Sequence, residues 1–472
     1  MAKSVVIVGG GVTGLVAAFR RASPGATLVL EADGRLGGSV RTLREGGFVL
    51  ETGPNTLRTT AAADRLIADL GLAADLVFAD RRAPRWIFRG GRPRAIVPGP
   101  KGLFNTVLST RAKLRLLGDL RLPRRPSSLE DESVRDFFIR RFGEEAATYG
   151  AGPMVSGVYA GDPAALSVRS AFPHLWEAEA RSGSVIRGFI AGGLGFGRRA
   201  PSALAPPDRP GRRHRARTVN FTRGLFQMVE ALAARLASAG ARIETNAAAV
   251  RLEGPRPGQP GRCWSVLTKD GRSFDADTVV LTLEPEETSR LLGERLSRSG
   301  AALSALPVSP VATVIFAFRP ATPEDAPKGF GVLVPRGEGI RSLGILYPAS
   351  LFAGRAPEGI ALTTSFLGGA LDPEIAAAED PTLTDLALSE VRRLHKGLAR
   401  CAPERTWITR WPKAIPQMPL GHFRTMAALD EDLASIDQEA GEPGTLILTG
   451  GWRDGIALGK RIERGEAIGR ML

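Results

Sequence analysis

Six residues near the N-terminus, Gly9-Gly10-Gly11-Val12-Thr13-Gly14, have the types and spacing of a phosphate cradle. Gly9 suits a tight turn, Gly11 lets a pyrophosphate approach the backbone, and Gly14 lets a following helix pack closely on a preceding strand. A helix beginning there would offer unpaired N–H groups to an anion. The flanking residues supply that context. Ser4–Val8 reads as a short buried parallel strand, and Leu15–Arg21 as an apolar helical stretch. A second strand, Thr27–Leu30, ends at Glu31, about twenty residues after Gly11, where a carboxylate commonly holds a ribose hydroxyl. Strand, glycines, helix, strand and terminal acid in that order predict a dinucleotide site.

Other chemistries find little support. The chain has no G-x-S-x-G elbow, no paired carboxylates at a recognisable spacing and no Cys/His pairing, which argues against hydrolysis. Cys263 and Cys401 build neither a disulfide framework nor a zinc site, and the four histidines are scattered, so no metal is expected and a reduced compartment fits. No run of about 18 apolar residues suggests a spanning helix, and Val5-Val6-Ile7-Val8 is too short for a signal peptide. With 43% hydrophobic and 24% charged residues the chain is neither wholly disordered nor collagen-like, and 472 residues correspond to about three domains. The 63 basic residues outnumber the 49 acidic ones, giving a net charge of +14, and only eight of them are lysines. That excess admits nucleic acid, an anionic membrane, acidic small substrates or simple coding bias.

Longer motifs carry a family resemblance. Gly34 to Thr42, with its Gly37-Gly38 pair, and Gly47-Phe48 through Glu51-Thr52-Gly53-Pro54-Asn55 resemble the segments that wrap FAD in the flavin amine oxidase and phytoene desaturase superfamily. Met154 to Asp162, followed by Leu166 to Pro173, resembles the signature region of protoporphyrinogen oxidases. Gly329 to Pro335, Leu343 to Tyr347, Phe366 to Gly369, Ile415 to Gln417 and Gly421-His422 are further matches in the family's order. The C-terminal run Leu446 to Trp452, then Gly455-Ile456-Ala457-Leu458-Gly459, resembles the strand and helix that complete the flavin site. Lys460-Arg461 departs from the family pattern there, and Met418 stands where Tyr is common.

The resemblance implies non-covalent FAD held by Gly9, Gly10, Gly11, Val12, Thr13, Gly14, Glu31, Gly38, Ser39, Gly53, Pro54, Asn55 and Thr56, by Ala249 at the adenine end, and by Trp411, Gly450, Ile456, Ala457 and Leu458. It also implies that Arg85 binds a propionate, that Leu333, Leu346 and Phe366 clamp a macrocycle, and that Gly331 lets the ring approach. No side chain stands out as a catalytic acid or base, because the flavin carries the chemistry. The implied reaction removes six electrons and six protons from protoporphyrinogen IX in three two-electron steps, with oxygen or another acceptor reoxidising the flavin. Oxidation of coproporphyrinogen III is the alternative. More distant readings are another flavin amine oxidase or desaturase, or a non-catalytic flavoprotein that binds lipid or nucleic acid.

The elements that must position these residues predict an α/β protein. A Rossmann-like FAD-binding domain is expected from residues 1–84, 218–285 and 436–472, and a mixed-sheet α+β substrate domain from 85–98 and 286–435. In the first, Leu225–Ala239 reads as a helix burying Leu225, Met228, Val229, Leu232 and Leu236, with strands at Arg242–Glu244, Cys263–Thr268 and Val279–Leu281. Residues 99–217 are expected to form an inserted helical domain. Its stretch 99–125 mixes leucines with seven cations against the single acid Asp119, and 198–217 holds seven arginines. With the resemblance, this pattern implies docking on an anionic membrane surface, hence a cytoplasmic protein peripheral on the inner face of the cell membrane. Nucleic acid is disfavoured because aromatic residues are missing among those arginines. A homodimer is left open.

Overall fold

The computed structural model describes residues 3–21, 23–96, 106–191, 214–254, 264–440 and 445–472. Two large sheets organise the chain. In chain order their strands are β1 (Val5–Val8), β2 (Thr27–Leu30), β3 (Arg85–Arg89), β4 (Arg92–Ile96), β5 (Arg242–Glu244), β6 (Thr278–Leu281), β7 (Val308–Phe318), β8 (Gly331–Leu333), β9 (Gly344–Leu346), β10 (Ala361–Gly368), β11 (Pro403–Pro416) and β12 (Leu446–Leu448).

The first sheet is parallel throughout, in the order β5-β2-β1-β6-β12. The chain builds outward from β1 to β5, then returns to the other side of β1 with β6, which makes the β1/β6 boundary the switch point of the topology. Every residue of β1 and β6 is buried, as a strand covered on both faces requires. Val5 and Ile7 face helices at Val12–Arg20, Phe226–Ser238 and Leu458–Met471. Val6 and Val8 face a core containing Trp264, Val266, Leu429 and Trp452.

Local differences from the sequence reading have simple causes. The first helix begins at Val12, directly after Gly11, and Arg21 is already extended. The glycine motif therefore runs through its first turn and does not precede it. The Phe226–Ser238 helix buries Met228, Val229, Leu232 and Leu236 as expected, with Leu225 as its N-cap. Cys263 lies outside the described residues, and the described strand starts at Trp264. The helix His422–Ala440 runs across the expected 435/436 boundary and buries Leu429 and Ile436 in the core of the parallel sheet.

The second sheet is mixed, in the order β11-β7-β10-β9-β8-β3-β4. Its alternate residues divide cleanly between two faces. Val332, Ile345 and Val314 pack on Leu383, Ala387 and Val391 of the helix Asp380–Leu394. The opposite face looks toward the parallel sheet's glycine loops, and there Ile315 and Leu362 meet Phe48 and Leu50.

Between β4 and β5 lies a set of short helices with its own core around Phe137, Val155, Tyr159 and Trp176. Among the described residues of the basic stretch 99–125, a helix forms at Thr110–Leu117, followed by a short 3-10 turn at Gly118–Leu120. Leu103, Phe104 and Lys101 lie outside the described residues. Asp119, read as the lone acid among surface cations, is fully buried and pairs with the equally buried Arg141. A buried guanidinium without a counter-charge would cost several kcal/mol, so this acid belongs to the core of the insertion and not to its surface. Of the basic loop 198–217 only the end is described. There His214 and Arg217 both contact Asp64, at 2.8 and 3.0 Å.

Candidate functional site

Loops after β1, β6 and β12 all leave the carboxyl end of the parallel sheet, where a crevice opens at a switch point. Gly9 takes φ +110, and a Cβ there would stand 2.3 Å from Thr282 Oγ1. A Cβ on Gly14 would stand 2.3 Å from the Gly9 carbonyl, so the close helix–strand approach expected of that position is real. Gly11 differs: nothing lies within 4 Å of its missing Cβ. Its open side faces a cradle that a side chain would fill. The helix beyond it has no side-chain cap and no acid in its first turn, leaving the N–H groups of Val12, Thr13 and Gly14 for an outside acceptor.

The other glycine segments close around this loop. Gly37 N donates to the Gly10 carbonyl at 2.8 Å, and Gly38, with φ +57, lies against Gly11. A Cβ on Gly53 would stand 1.9 Å from the Ser39 carbonyl, so those two stretches touch through bare backbone. Pro54, Asn55 and Thr56 continue half-buried from there, and Asn220 ties the Asn55 carbonyl to the Glu51 carboxylate at 3.1 and 3.0 Å. Glu31 accepts from Gly10 N at 2.8 Å and Asp33 N at 2.9 Å, which fixes its carboxylate beside the cradle. Ala247 N donates to the Glu31 carbonyl at 2.8 Å, bringing Ala249 to the same end.

The C-terminal segment arrives from the opposite side. Gly465 and Gly469 of the last helix press on Thr13 and Val16, and on Ala17 and Arg20, so this helix runs parallel to the first. Its uncapped start at Leu458, after Ala457, then projects about 10 Å past Thr13 at 1.5 Å per residue. Gly450 is held by Asp454 at 3.3 Å, and Ile456 packs toward the helical insertion. Two helix N-termini thus point into one crevice. The departure at Lys460-Arg461 places the Arg461 guanidinium against Gly451, where burial lowers its pKa and the nearby Glu284 opposes that shift.

The predicted substrate residues fall on two neighbouring rungs of the second sheet. One rung runs Arg85–Gly331–Leu346–Thr364, the next Ile87–Leu333–Gly344–Phe366, both on the face turned to the crevice. Leu333, Leu346 and Phe366 are half-buried, whereas Val332, Ile345 and Leu367 on the other face are buried. Phe366 also packs against the buried Ala160, Val311 and Leu343. Gly331 has a reason of its own to lack a side chain, since a Cβ there would stand 2.4 Å from the Ile345 carbonyl of the next strand. Trp411 links this sheet to the crevice by donating from Nε1 to the Thr52 carbonyl at 2.6 Å.

Around the predicted Arg85 stand residues that sequence reasoning did not single out. Arg85 is exposed, with its guanidinium 4.9 Å from the Phe330 ring centroid, and its pKa is lowered by partial desolvation and by the positive charge of Arg58. Both arginines are exposed to solvent. Gly157 of the signature region sits beside Leu333, where a Cβ would come within 2.6 Å of Cδ2. Burial pushes the Glu51 carboxyl up, against hydrogen bonds from Leu225 N, Thr42 and Asn220 and the charge of Arg355. Arg58 is a single exposed arginine in a short strand and carries no sequence signal of its own.

The sequence profile of flavin containing amine oxidoreductases matches residues 12–453. The chain is 33% identical to protoporphyrinogen oxidase 1, chloroplastic, of Arabidopsis thaliana, over 97% of its own length and 86% of that protein. The chain belongs to the protoporphyrinogen oxidase family, within the flavin amine oxidase superfamily. It is also 27% identical to a coproporphyrinogen III oxidase of Bacillus subtilis, with 98% of this chain and 97% of the other covered. Its fold is that of an Exiguobacterium protein whose crystal structure superimposes with a TM-score of 0.76 at 22% identity, covering 100% of this chain and 98% of the other. Membership of this family makes the chain an FAD-dependent oxidoreductase. The open cradle at Gly11, two uncapped helix starts and the bare-backbone contact at Gly53 fit that cofactor.

Proposed function

We propose that the chain oxidises protoporphyrinogen IX to protoporphyrin IX, with oxygen as the electron acceptor. The observation that carries this reading is the two-rung face on which Leu333, Leu346 and Phe366 stand half-buried beside Arg85. An apolar wall with a cation at its rim suits a macrocycle with carboxylate tails. When bound, FAD supplies the two-electron redox chemistry.

The protein's own residues have the remaining tasks. Leu333, Leu346 and Phe366 hold the ring plane, while Arg85 with Arg58 holds a propionate outside the apolar slot. The glycine loops at residues 9–14, 37–38 and 53, with Glu31, Ala249, Trp411, Gly450 and Ile456 to Leu458, hold the cofactor. The two rungs offer no titratable side chain except Arg85, so the protons released with each hydride leave through the ring N–H groups to water. The parallel sheet is the cofactor domain, the mixed sheet the substrate domain, and the helical insertion a membrane-facing part. Exposed Leu114, Leu117 and Ile190, at 66%, 48% and 54% accessibility, support a peripheral attachment through that insertion. No described helix is long and apolar enough to cross a membrane.

The near-complete match to the Bacillus coproporphyrinogen III oxidase favours a second reading with that substrate. One experiment separates them: purify the protein, record the flavin spectrum, and follow porphyrin fluorescence from both porphyrinogens with and without oxygen. Preferred turnover of protoporphyrinogen supports the proposal. Preferred turnover of coproporphyrinogen replaces it, and a yellow protein inert to both refutes the two together.

A further inference from the structure

The helical insertion contains a cavity that porphyrinogen oxidation does not use. It measures about 370 Å³, and its wall includes Arg124, Arg125, Leu129, Glu130, Arg169 and Trp176. Two of the three guanidiniums lie over aromatic rings. Arg125 sits 3.5 Å from the Trp176 centroid and Arg169 3.7 Å from that of Phe423. Single backbone bonds steady each of them, from Arg125 Nη1 to the Trp176 carbonyl at 3.0 Å and from Arg169 Nη1 to the Glu130 carbonyl at 2.7 Å. A guanidinium has five N–H donors in a rigid fork, so a ring contact and one backbone bond leave further donors for a ligand.

The nearby acids are already committed. Glu179, fully buried, divides its charge among Arg125 at 3.5 Å, Arg140 at 2.7 Å and Arg141 at 3.4 Å. Glu130 is the acid on the wall, and it is paired with Arg424. Burial lowers the Arg125 pKa, the charge and hydrogen bond of Glu179 oppose that shift, and the charges of Arg140 and Arg169 act with burial. Of the three cations on the wall Arg125 is thus paired with Glu179, whereas Arg124 and Arg169 have no carboxylate within 4.0 Å among the described residues.

From this geometry we propose that the cavity binds a phosphate ester. Guanidiniums carried by two separate chain segments can reach the oxygens of a tetrahedral phosphate from different sides, and phosphate brings the charge to balance more than one of them. The volume exceeds a bare anion, since a water occupies roughly 30 Å³, so Leu129 and Trp176 face the organic part of the ligand. The inference is independent of which porphyrinogen the enzyme oxidises.

Phosphate esters reach the cavity either free in solution or as phospholipid headgroups, and two probes distinguish the sources. The full-length, flavin-loaded protein is titrated with glycerol 3-phosphate by calorimetry, and floated with phosphatidylcholine vesicles with or without phosphatidylglycerol. Arg124→Gln and Arg169→Gln are compared with Arg251→Gln, an exposed arginine outside the insertion that removes the same charge. The expected result is binding of at least one probe that falls ~10-fold or more in both cavity variants, with flavin content and melting temperature retained and Arg251→Gln unaffected. Binding of glycerol 3-phosphate identifies a free ester, and binding of anionic vesicles alone a headgroup. Absence of binding to both probes, or an equal loss in all three variants, overturns the proposal.

Discussion

Arg85 and Gly331 stand opposite each other in a parallel pair of strands, although more than half the chain separates them in sequence. Gly331 is paired on its other side with Leu346, and Leu346 with Thr364. This single rung sets a cation at one end and an apolar wall beside it, and its neighbour adds Leu333 and Phe366.

Replacing the cation should affect substrate and leave the cofactor in place. Arg85→Ala is expected to raise KM for the porphyrinogen ~10- to 100-fold, the loss of a charge-assisted hydrogen bond worth about 1.5–3 kcal/mol. Arg58→Ala should give a smaller rise in the same direction. Steady-state kinetics alongside the flavin-to-protein ratio checks both, and loss of flavin in either variant would speak against the assignment.

Glycines of the cradle should divide into two kinds. Gly11→Val meets open space, so it should leave melting temperature within a few degrees while flavin content collapses. Gly14→Ala drives a Cβ to 2.3 Å from the Gly9 carbonyl and should destabilise the apoprotein itself, by roughly 1–3 kcal/mol as overpacking does. Flavin absorbance and thermal melting of the apoproteins separate the two outcomes.

The two faces of the mixed sheet should respond differently to truncation. Phe366→Ala, on the crevice face, is expected to lower kcat/KM by about 1–2 kcal/mol with modest effect on stability, because the ring is only half-buried. Ile345→Ala, one residue along the adjacent strand but buried on the other face, should cost about 2–5 kcal/mol of stability and little activity in the folded fraction. Denaturant unfolding and kinetics on the same samples test this contrast.

Acid should weaken the packing around the mixed sheet through His395. Its ring faces Tyr347 Oη at 3.1 Å, and burial lowers its pKa to about 4. The folded state thus resists a proton that the unfolded chain accepts near pH 6.5, so stability present above that pH is lost as pH falls toward 4. The full shift corresponds to about 3 kcal/mol, reduced to about 2 by the solvent contact of a half-buried residue. Unfolding free energies at pH 7.5 and 5 should differ accordingly, and His395→Gln should flatten the dependence.

Much of the cofactor cradle is legible in the sequence, because its requirements are local. Glycines must be spaced to turn, to admit a ligand and to let a helix start, and Gly9 to Gly14 meet those needs within one turn of chain. The strands flanking it are equally local, since full burial demands continuous apolar runs such as Val5–Val8. Asp119 shows where local reading fails. Its neighbours are basic and its helix looks solvated, yet Arg141, Ser184 and Ile186 enclose it. Only folding brings these partners together, and the energy of burying a charge decides its place.

The amino-acid order alone therefore determined the glycine cradle, its carboxylate at Glu31, the strand and helix periodicities and the family to which the chain belongs. Tertiary structure decided that Arg58 stands beside Arg85, that Leu333 and Phe366 share a rung, and that three arginines of the insertion surround one cavity. Those relationships depend on sheet register and helix packing between distant segments, and one residue of slip in β8 would turn Leu333 from the crevice into the core.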